Sequence, residues 1–145
     1  MIGNGVGIAP MRAFCQESGF NILNKQDNPY GNIALFFGTR SKLDKLFDSD
    51  FVTSQKVGAL HHYHIGYSRE EGTDKKYVQD ILPDKKEVIV DLLKNKNGVV
   101  FVCGSLALKR GVTMALEKIF KEAGDEEYVQ KMIKEGRVAF ECFGG

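Results

Sequence analysis

The chain has 145 residues, of which 43% are hydrophobic and 27% are charged, as expected of a single globular domain. Its formal net charge of +1 gives no global reason to expect binding to nucleic acid or to an anionic membrane. No apolar run approaches the roughly 20 residues that span a bilayer. The three cysteines lack disulfide or metal-site spacing, so we expect a reducing, cytoplasmic location and no membrane contact from this chain.

The first informative feature is a glycine-rich segment, residues 3–10, with glycines at positions 3, 5 and 7. Glycine tolerates positive φ and close backbone approach, and Pro10 suits the first turn of a helix that continues through Phe14. Such a turn presents backbone N–H groups to a phosphate, although a plain tight turn would give the same pattern. Only Met1 and Ile2 precede it where a strand is expected, so we interpret the chain as a piece of a longer polypeptide.

Apolar, β-forming segments then alternate with segments that have helical periodicity. The predicted strands are residues 33–38, 64–67, 99–104 and 138–143. The predicted helices are residues 88–94, 112–120 and 128–133. This alternation is typical of βαβ units around a parallel sheet. The sequence therefore predicts a doubly wound α/β domain over residues 1–145, with a five-stranded, mainly parallel sheet and helices on both faces.

Ligands of such sheets bind beyond the carboxyl ends of the strands, near the point where the strand order reverses. Four segments directly follow predicted strands and should therefore gather there. They are residues 3–10, 38–40, 68–70 and 103–105.

The basic residues of these segments suit a phosphorylated nucleotide. Arg40 follows a strand-terminal glycine and could clamp a pyrophosphate, unless it is a solvated loop arginine. Ser68, Arg69, Lys75 and Tyr77 supply charged and neutral donors for a phosphomonoester on a ribose, although an exposed mixed-charge turn has the same composition. A typical NAD site instead places an acidic residue against the 2′-hydroxyl. Two charge-assisted bonds of roughly 1.5–3 kcal/mol each would favour NADP over NAD by about two to four powers of ten.

The cysteine and histidine pattern does not indicate a metal site. Cys103 ends the most apolar strand, where a cysteine is more often part of the core than catalytic. His62 and His64 would share a strand face, but no Cys, Asp or Glu at ligand spacing completes a site. We therefore predict no bound metal.

In their order, these segments resemble the NADP(H)-binding domain of the ferredoxin–NADP reductase-type flavoproteins. The resemblance is greatest to the diflavin reductases, which include the cytochrome-linked reductase, the nitric oxide synthase reductase domain and the sulfite reductase flavoprotein. It covers nearly the whole chain and implies a ferredoxin-reductase-type nucleotide-binding domain. The matching segments are residues 3–14, 37–42, 68–70, 75–80, 102–104 and 141–143.

The resemblance implies that NADPH gives a hydride to FAD on a separate, preceding domain, from which electrons reach an FMN, iron–sulfur or haem acceptor. It implies that Cys103 touches the nicotinamide, that Glu141 assists proton handling, and that Phe143 stacks on the flavin and moves aside for the nicotinamide. Without the FAD domain, the chain should not turn over. The implied cofactor-binding residues are Gly3, Gly5, Val6, Gly7, Pro10, Arg40, Ser68, Arg69, Lys75, Tyr77, Gln79, Gly104 and Ser105.

Two departures from the family pattern leave alternatives open. Val6 stands where the family usually has threonine, and Ser105 stands where the diflavin reductases commonly have aspartate. Glu141 is plant-type, whereas the two residues beyond Phe143 are diflavin-like, so the subfamily and the acceptor stay open. One alternative is a non-catalytic nucleotide-binding or regulatory module of the same fold. A flavodoxin-like FMN protein would need a hydroxyl-rich first phosphate loop, which this chain lacks.

Overall fold

Five strands form one sheet in the computed structural model, which describes residues 1–144. The spatial order is β3-β2-β1-β4-β5, and every neighbouring pair is parallel. From the central β1, the chain adds β2 and β3 on one side and then β4 and β5 on the other side. The strand order therefore reverses between β1 and β4. The strands are β1 (Ile2–Asn4), β2 (Ala34–Thr39), β3 (His62–Tyr67), β4 (Val100–Ser105) and β5 (Val138–Phe143).

Helices cover both faces of the sheet because successive strand residues point to opposite sides. Phe36 joins a core cluster with residues of α5, whereas Leu35 and Phe37 join a second cluster with residues of α1 and α2. The predicted doubly wound α/β fold is confirmed. The helices are α1 (Ala9–Leu23), α2 (Asp48–Lys56), α3 (Val78–Ile81), α4 (Lys86–Val90), α5 (Leu106–Glu122) and α6 (Tyr128–Lys134).

The helices differ from the sequence prediction in several places, including α5, which begins at Leu106 rather than at residue 112. The pattern did not predict α2, in which only Phe51 and Ser54 are buried, or α3, which is a single turn. The predicted helix over residues 88–94 begins earlier as α4 and continues as a π-helical turn, Asp91–Asn95. Within residues 1–144, no helix combines the length and apolar character needed to cross a bilayer.

A row of glycines marks the carboxyl end of the sheet. Gly38 pairs with Gly66 across β2 and β3, and Asn4 of β1 pairs with Gly38. A Cβ on Gly66 would lie 3.1 Å from the carbonyl oxygen of Tyr77, and one on Gly38 would lie 3.0 Å from the Cβ of Val78. The glycines therefore let the chain that leads into α3 cross closely over the strand ends.

Candidate functional site

A cleft of about 480 Å³ lies at the carboxyl ends of the strands. Its lining draws on all the segments that sequence analysis placed there, together with residues that precede or begin α3. The predicted site residues that border the cleft are Gly5, Val6, Arg40, Ser68, Tyr77, Gln79, Ser105 and Phe143.

The glycine-rich segment forms one wall as a single 3-10 turn, Gly5–Ile8, which leads directly into α1. Gly3 belongs to β1, and Pro10 lies in the first turn of α1, as predicted. A Cβ on Gly7 would lie 2.3 Å from the carbonyl oxygen of Cys103, so the turn packs directly on the β4 backbone. The first turn of α1 contains no acidic residue to offset the positive end of its dipole.

Backbone hydrogen bonds tie together the loops that follow β2 and β3. The N–H of Arg69 donates to the carbonyl of Arg40 at 2.8 Å, and the N–H of Ser68 donates to the carbonyl of Thr39 at 3.0 Å. The backbone N–H of Lys42 donates to the Glu70 carboxylate at 2.8 Å. These bonds hold the backbones that carry both arginines side by side.

The chain between β3 and α3 carries further donors. The Nζ of Lys75 lies 4.8 Å from the centroid of the Tyr77 ring, in a cation–π contact. Tyr77 is 46% exposed, so its hydroxyl is available to a ligand. The side chain of Gln79 packs against Gly111 of α5, where an added Cβ would approach it to 3.0 Å. Arg69 and Lys75 lie outside the cleft lining, on this exposed connection.

Three cations of this region have no carboxylate partner among residues 1–144. None of the ion pairs there involves Arg40, Arg69 or Lys75. By contrast, Glu70 is engaged by Lys42, through its backbone N–H and a 3.7 Å ion pair. The edge of the sheet thus offers unpaired positive charge to an anionic ligand.

The register of β4 against β5 brings the three predicted catalytic residues close together on these adjacent strands. Cys103 pairs with Glu141, and Ser105 pairs with Phe143, so the three side chains occupy consecutive positions on one face of β4 and β5. Cys103 is 5% exposed and lies outside the cleft lining, whereas Glu141 is exposed and Phe143 is 52% exposed. Burial, with the neighbouring Cys142 and Glu141, raises the pKa of the Cys103 thiol, which therefore stays protonated.

The segment after Cys103 is fixed by packing. Gly104 has φ +155°, and a Cβ there would lie 2.1 Å from the side-chain oxygen of Asn4. The hydroxyl of Ser105 accepts a hydrogen bond from the N–H of Leu108 at 3.1 Å and so caps α5. The positive ends of α1 and α5 therefore both lie at this edge of the sheet.

Comparison with known proteins gives a family and several relatives. A family model described as an oxidoreductase NAD-binding domain matches residues 1–114. The chain belongs to this family. It is 31% identical over 152 residues to the inducible nitric oxide synthase of Gallus gallus, covering 99% of the chain and 13% of that protein. It is 32% identical over 150 residues to the nitric oxide synthase of Anopheles stephensi, covering 99% and 12%.

A bacterial relative matches as well. The bifunctional cytochrome P450/NADPH–P450 reductase 1 of Bacillus subtilis is 30% identical over 122 residues, covering 83% of the chain and 11% of that protein. The chain thus spans roughly an eighth of the length of the relatives it matches. The predicted resemblance to reductase-type nucleotide-binding domains is confirmed.

In this oxidoreductase NAD-binding domain, three polar residues that were not predicted from the sequence also border the cleft: Asn4, Thr39 and Asp44. The hydroxyl of Thr39 donates to the carbonyl of Asp44 at 3.1 Å, and the hydroxyl of Ser41 donates to its carboxylate at 2.7 Å. Asn4 and Thr39 lie inside segments already placed at the edge and could have been named. Asp44 had no such signal, because the 3-10 turn Lys42–Asp44 brings it back to the strand end.

Proposed function

We propose that this domain binds NADPH and positions it for hydride transfer to FAD on a preceding domain. The observation that carries the proposal is that Arg40, Ser68 and Tyr77 border the cleft together with the glycine-rich turn. Arg69 and Lys75 lie on the adjoining exposed connection, and neither makes an ion pair within residues 1–144. A Bacillus subtilis relative is named for an NADPH–P450 reductase, which favours the same nucleotide.

The 2′-phosphate would bind to the connection between β3 and α3. Arg69 can make paired bonds to phosphate, Lys75 adds a point charge, and Ser68 and Tyr77 add neutral donors. The nearby carboxylate of Glu70 already accepts the backbone N–H of Lys42 and pairs with its Nζ, so a ribose hydroxyl would have to compete with Lys42 for it. This arrangement favours NADP(H) over NAD(H).

The pyrophosphate would lie against the 3-10 turn, Gly5–Ile8. This turn and the first turn of α1 supply backbone N–H groups, and the dipole of α1 favours negative charge there. Arg40, which borders the cleft directly after β2, would add a side-chain clamp.

The nicotinamide would then reach the ends of β4 and β5. A bound FAD supplies the redox chemistry by accepting the hydride. The protonated thiol of Cys103 would act as a small packing surface, since burial disfavours a thiolate. Glu141 would hold or release a proton, and Phe143, which is half exposed, would cover the flavin until the nicotinamide displaces it.

Residues 1–145 would be the nucleotide-binding part of a longer flavoprotein with its FAD domain upstream. The short share of each relative that the chain covers supports this arrangement. Electrons would pass from FAD to an FMN, iron–sulfur or haem acceptor, in a cytoplasmic protein. The isolated chain should not reduce acceptors with NADPH.

A non-catalytic module of the same fold is the second candidate. The observation that favours it is that Val6 borders the cleft with no hydroxyl, while the Ser105 hydroxyl is occupied as the cap of α5. Such a module would bind the nucleotide without hydride transfer once joined to its FAD domain.

The test is the substitution Arg69→Ala, measured by titration with NADP⁺ and NAD⁺. Loss of one charge-assisted contact should weaken the binding of NADP⁺ roughly tenfold to a hundredfold and leave the affinity for NAD⁺ nearly unchanged. The control is Lys118→Ala, which removes an exposed charge about 18 Å along α5 from its first residue. Equal losses for both nucleotides would refute the role of Arg69.

A further inference from the structure

One carboxylate borders the nucleotide cleft, and the proposed function does not use it. Among the described residues that line the cleft, Asp44 is the one with a carboxylate side chain. It is exposed and takes part in no ion pair within residues 1–144. Its charge therefore acts on any anion that enters the cleft.

Three hydrogen bonds hold Asp44 at the end of β2. Its carbonyl oxygen accepts the hydroxyl of Thr39 at 3.1 Å, and its N–H donates to the carbonyl of Ser41 at 3.1 Å. Its Oδ2 accepts the hydroxyl of Ser41 at 2.7 Å, whereas its Oδ1 has no hydrogen-bond partner in the described part of the chain. The 3-10 turn Lys42–Asp44 thus leaves one carboxylate oxygen at the cleft with its acceptor capacity unused.

Asp44 lies beside a residue that we assign to the 2′-phosphate. Thr39, which donates its hydroxyl to Asp44, accepts the N–H of Ser68 on its carbonyl oxygen at 3.0 Å. Ser68 and Asp44 both border the cleft. One residue of β2 therefore holds a proposed phosphate donor and a carboxylate at the same end of the cleft.

A carboxylate at this place acts differently on the two nicotinamide nucleotides. NAD(H) carries a ribose 2′-hydroxyl, which can donate a hydrogen bond, and sites for NAD typically use an acidic side chain to accept it. NADP(H) carries a phosphate there, which can only accept and which a carboxylate repels. The charge of Asp44 therefore opposes that of Arg69 and Lys75 in the choice of nucleotide.

The other acidic residue of this region is placed differently. The carboxylate of Glu70 accepts the N–H of Lys42 at 2.8 Å and pairs with the Lys42 Nζ at 3.7 Å. Glu70 is not among the residues that border the cleft. The partly unused carboxylate at the cleft is thus that of Asp44.

We propose that Asp44 is a specificity-determining residue of the cleft. Its Oδ1 accepts a hydrogen bond from a hydroxyl of the adenosine ribose, and its charge weakens the binding of the 2′-phosphate. The inference rests on the proposed function, because it places the adenosine ribose at this end of the cleft. The preference of the chain for NADP(H) over NAD(H) is then smaller than it would be with a neutral residue at position 44.

The test is the substitution Asp44→Asn, measured by calorimetric titration with NADP⁺ and with NAD⁺ at low salt. The amide keeps the size of the side chain and an oxygen that can accept the Ser41 hydroxyl, but it carries no charge. NADP⁺ should bind at least about threefold tighter and NAD⁺ at least about threefold weaker, so that the preference for NADP⁺ rises about tenfold. The gain in NADP⁺ affinity should shrink in about 0.5 M salt, because salt screens exposed charges. A preference within about twofold of the wild-type value, or a loss of NADP⁺ affinity, would overturn the proposal.

Two control variants separate the charge of Asp44 from other effects. Ser41→Ala removes the hydrogen bond to the Asp44 carboxylate but keeps its charge. Glu122→Gln removes an exposed charge at the end of α5, about 24 Å along the helix from its first residue. Both variants should keep the wild-type preference. A rise in Ser41→Ala as large as that in Asp44→Asn would assign the effect to the conformation of the turn and overturn the role of the charge.

The wild-type titrations keep this proposal separate from the proposed function. Tighter binding of NAD⁺ than of NADP⁺, with a preference that Asp44→Asn still shifts toward NADP⁺, would contradict the NADP(H) assignment and support the role of Asp44. A preference for NADP⁺ that Asp44→Asn leaves unchanged would contradict the role of Asp44 alone. Binding of neither nucleotide would contradict both.

Discussion

The glycine-rich turn gives the sharpest prediction, because Gly7 has no room for a side chain. In Gly7→Ala the Cβ would lie 2.3 Å from the Cys103 carbonyl oxygen, 2.7 Å from its carbonyl carbon and 3.1 Å from the Cα of Gly104. All three atoms are backbone, so no rotamer change relieves the contact and the turn must move by about 1 Å. We expect a loss of about 3 kcal/mol in unfolding free energy, at the upper end for overpacking.

The assay is thermal unfolding combined with titration by NADP⁺. A loss of this size should lower the midpoint of thermal unfolding by about 10 °C. Displacement of the turn should also weaken the binding of NADP⁺ at least tenfold. The matched control is Gly31→Ala, where an added Cβ meets no heavy atom within 4 Å and where stability should change by less than about 0.5 kcal/mol. A Gly7→Ala midpoint within 2 °C or so of the control would refute the close packing of the turn on β4.

Three further predictions concern stability and reactivity. The substitution Ser105→Ala removes the cap of α5 and should lower the free energy of unfolding, measured by chemical denaturation, by about 1 kcal/mol. An unchanged denaturation midpoint would contradict the capping role. Burial, then the charge of Lys85, lowers the pKa of His64, whose Nε2 is buried without a partner among the described residues. The unfolded chain therefore binds the proton of this imidazole more tightly than the folded chain does, so the free energy of unfolding should fall as the pH drops below about 6.5. The substitution His64→Leu should make this fall less steep. A free energy of unfolding that increases as the pH drops would contradict the prediction. Burial raises the pKa of the Cys15 thiol to about 11, so little of it is a reactive thiolate at pH 8. Iodoacetamide at that pH should therefore label the half-buried Cys142 before Cys15, as measured by mass spectrometry. Faster labelling of Cys15 would contradict its burial.

Much of the fold could be predicted from residue periodicity. The strand over residues 138–143 was predicted with its observed bounds, because alternating burial along an edge strand gives a clear pattern. The pattern gave no signal for α2, since only Phe51 and Ser54 of its nine residues are buried. The helix α5 begins six residues before the predicted start, since Ser105 caps it and several of its first residues are exposed.

The sequence could predict the location of the site, which follows from the topology of the sheet, but not its detailed packing. The rule that ligands bind at the carboxyl ends of strands places the segments that hold Arg40 and Ser68 at one cleft, as observed. It does not say that Gly38 and Gly66 let the chain before α3 cross over the strand ends, because that contact joins distant parts of the sequence. Nor does it show that the Cys103 thiol is covered by packing rather than open to the cleft.

The proposed function depends above all on recognition of a 2′-phosphate at this edge of the sheet. The decisive measurement is calorimetric titration of the chain with adenosine 2′,5′-bisphosphate, with AMP as the control. We expect the bisphosphate to bind at least about a hundredfold tighter than AMP, from two charge-assisted contacts at Arg69 and Lys75. Equal affinity for the two ligands would contradict it.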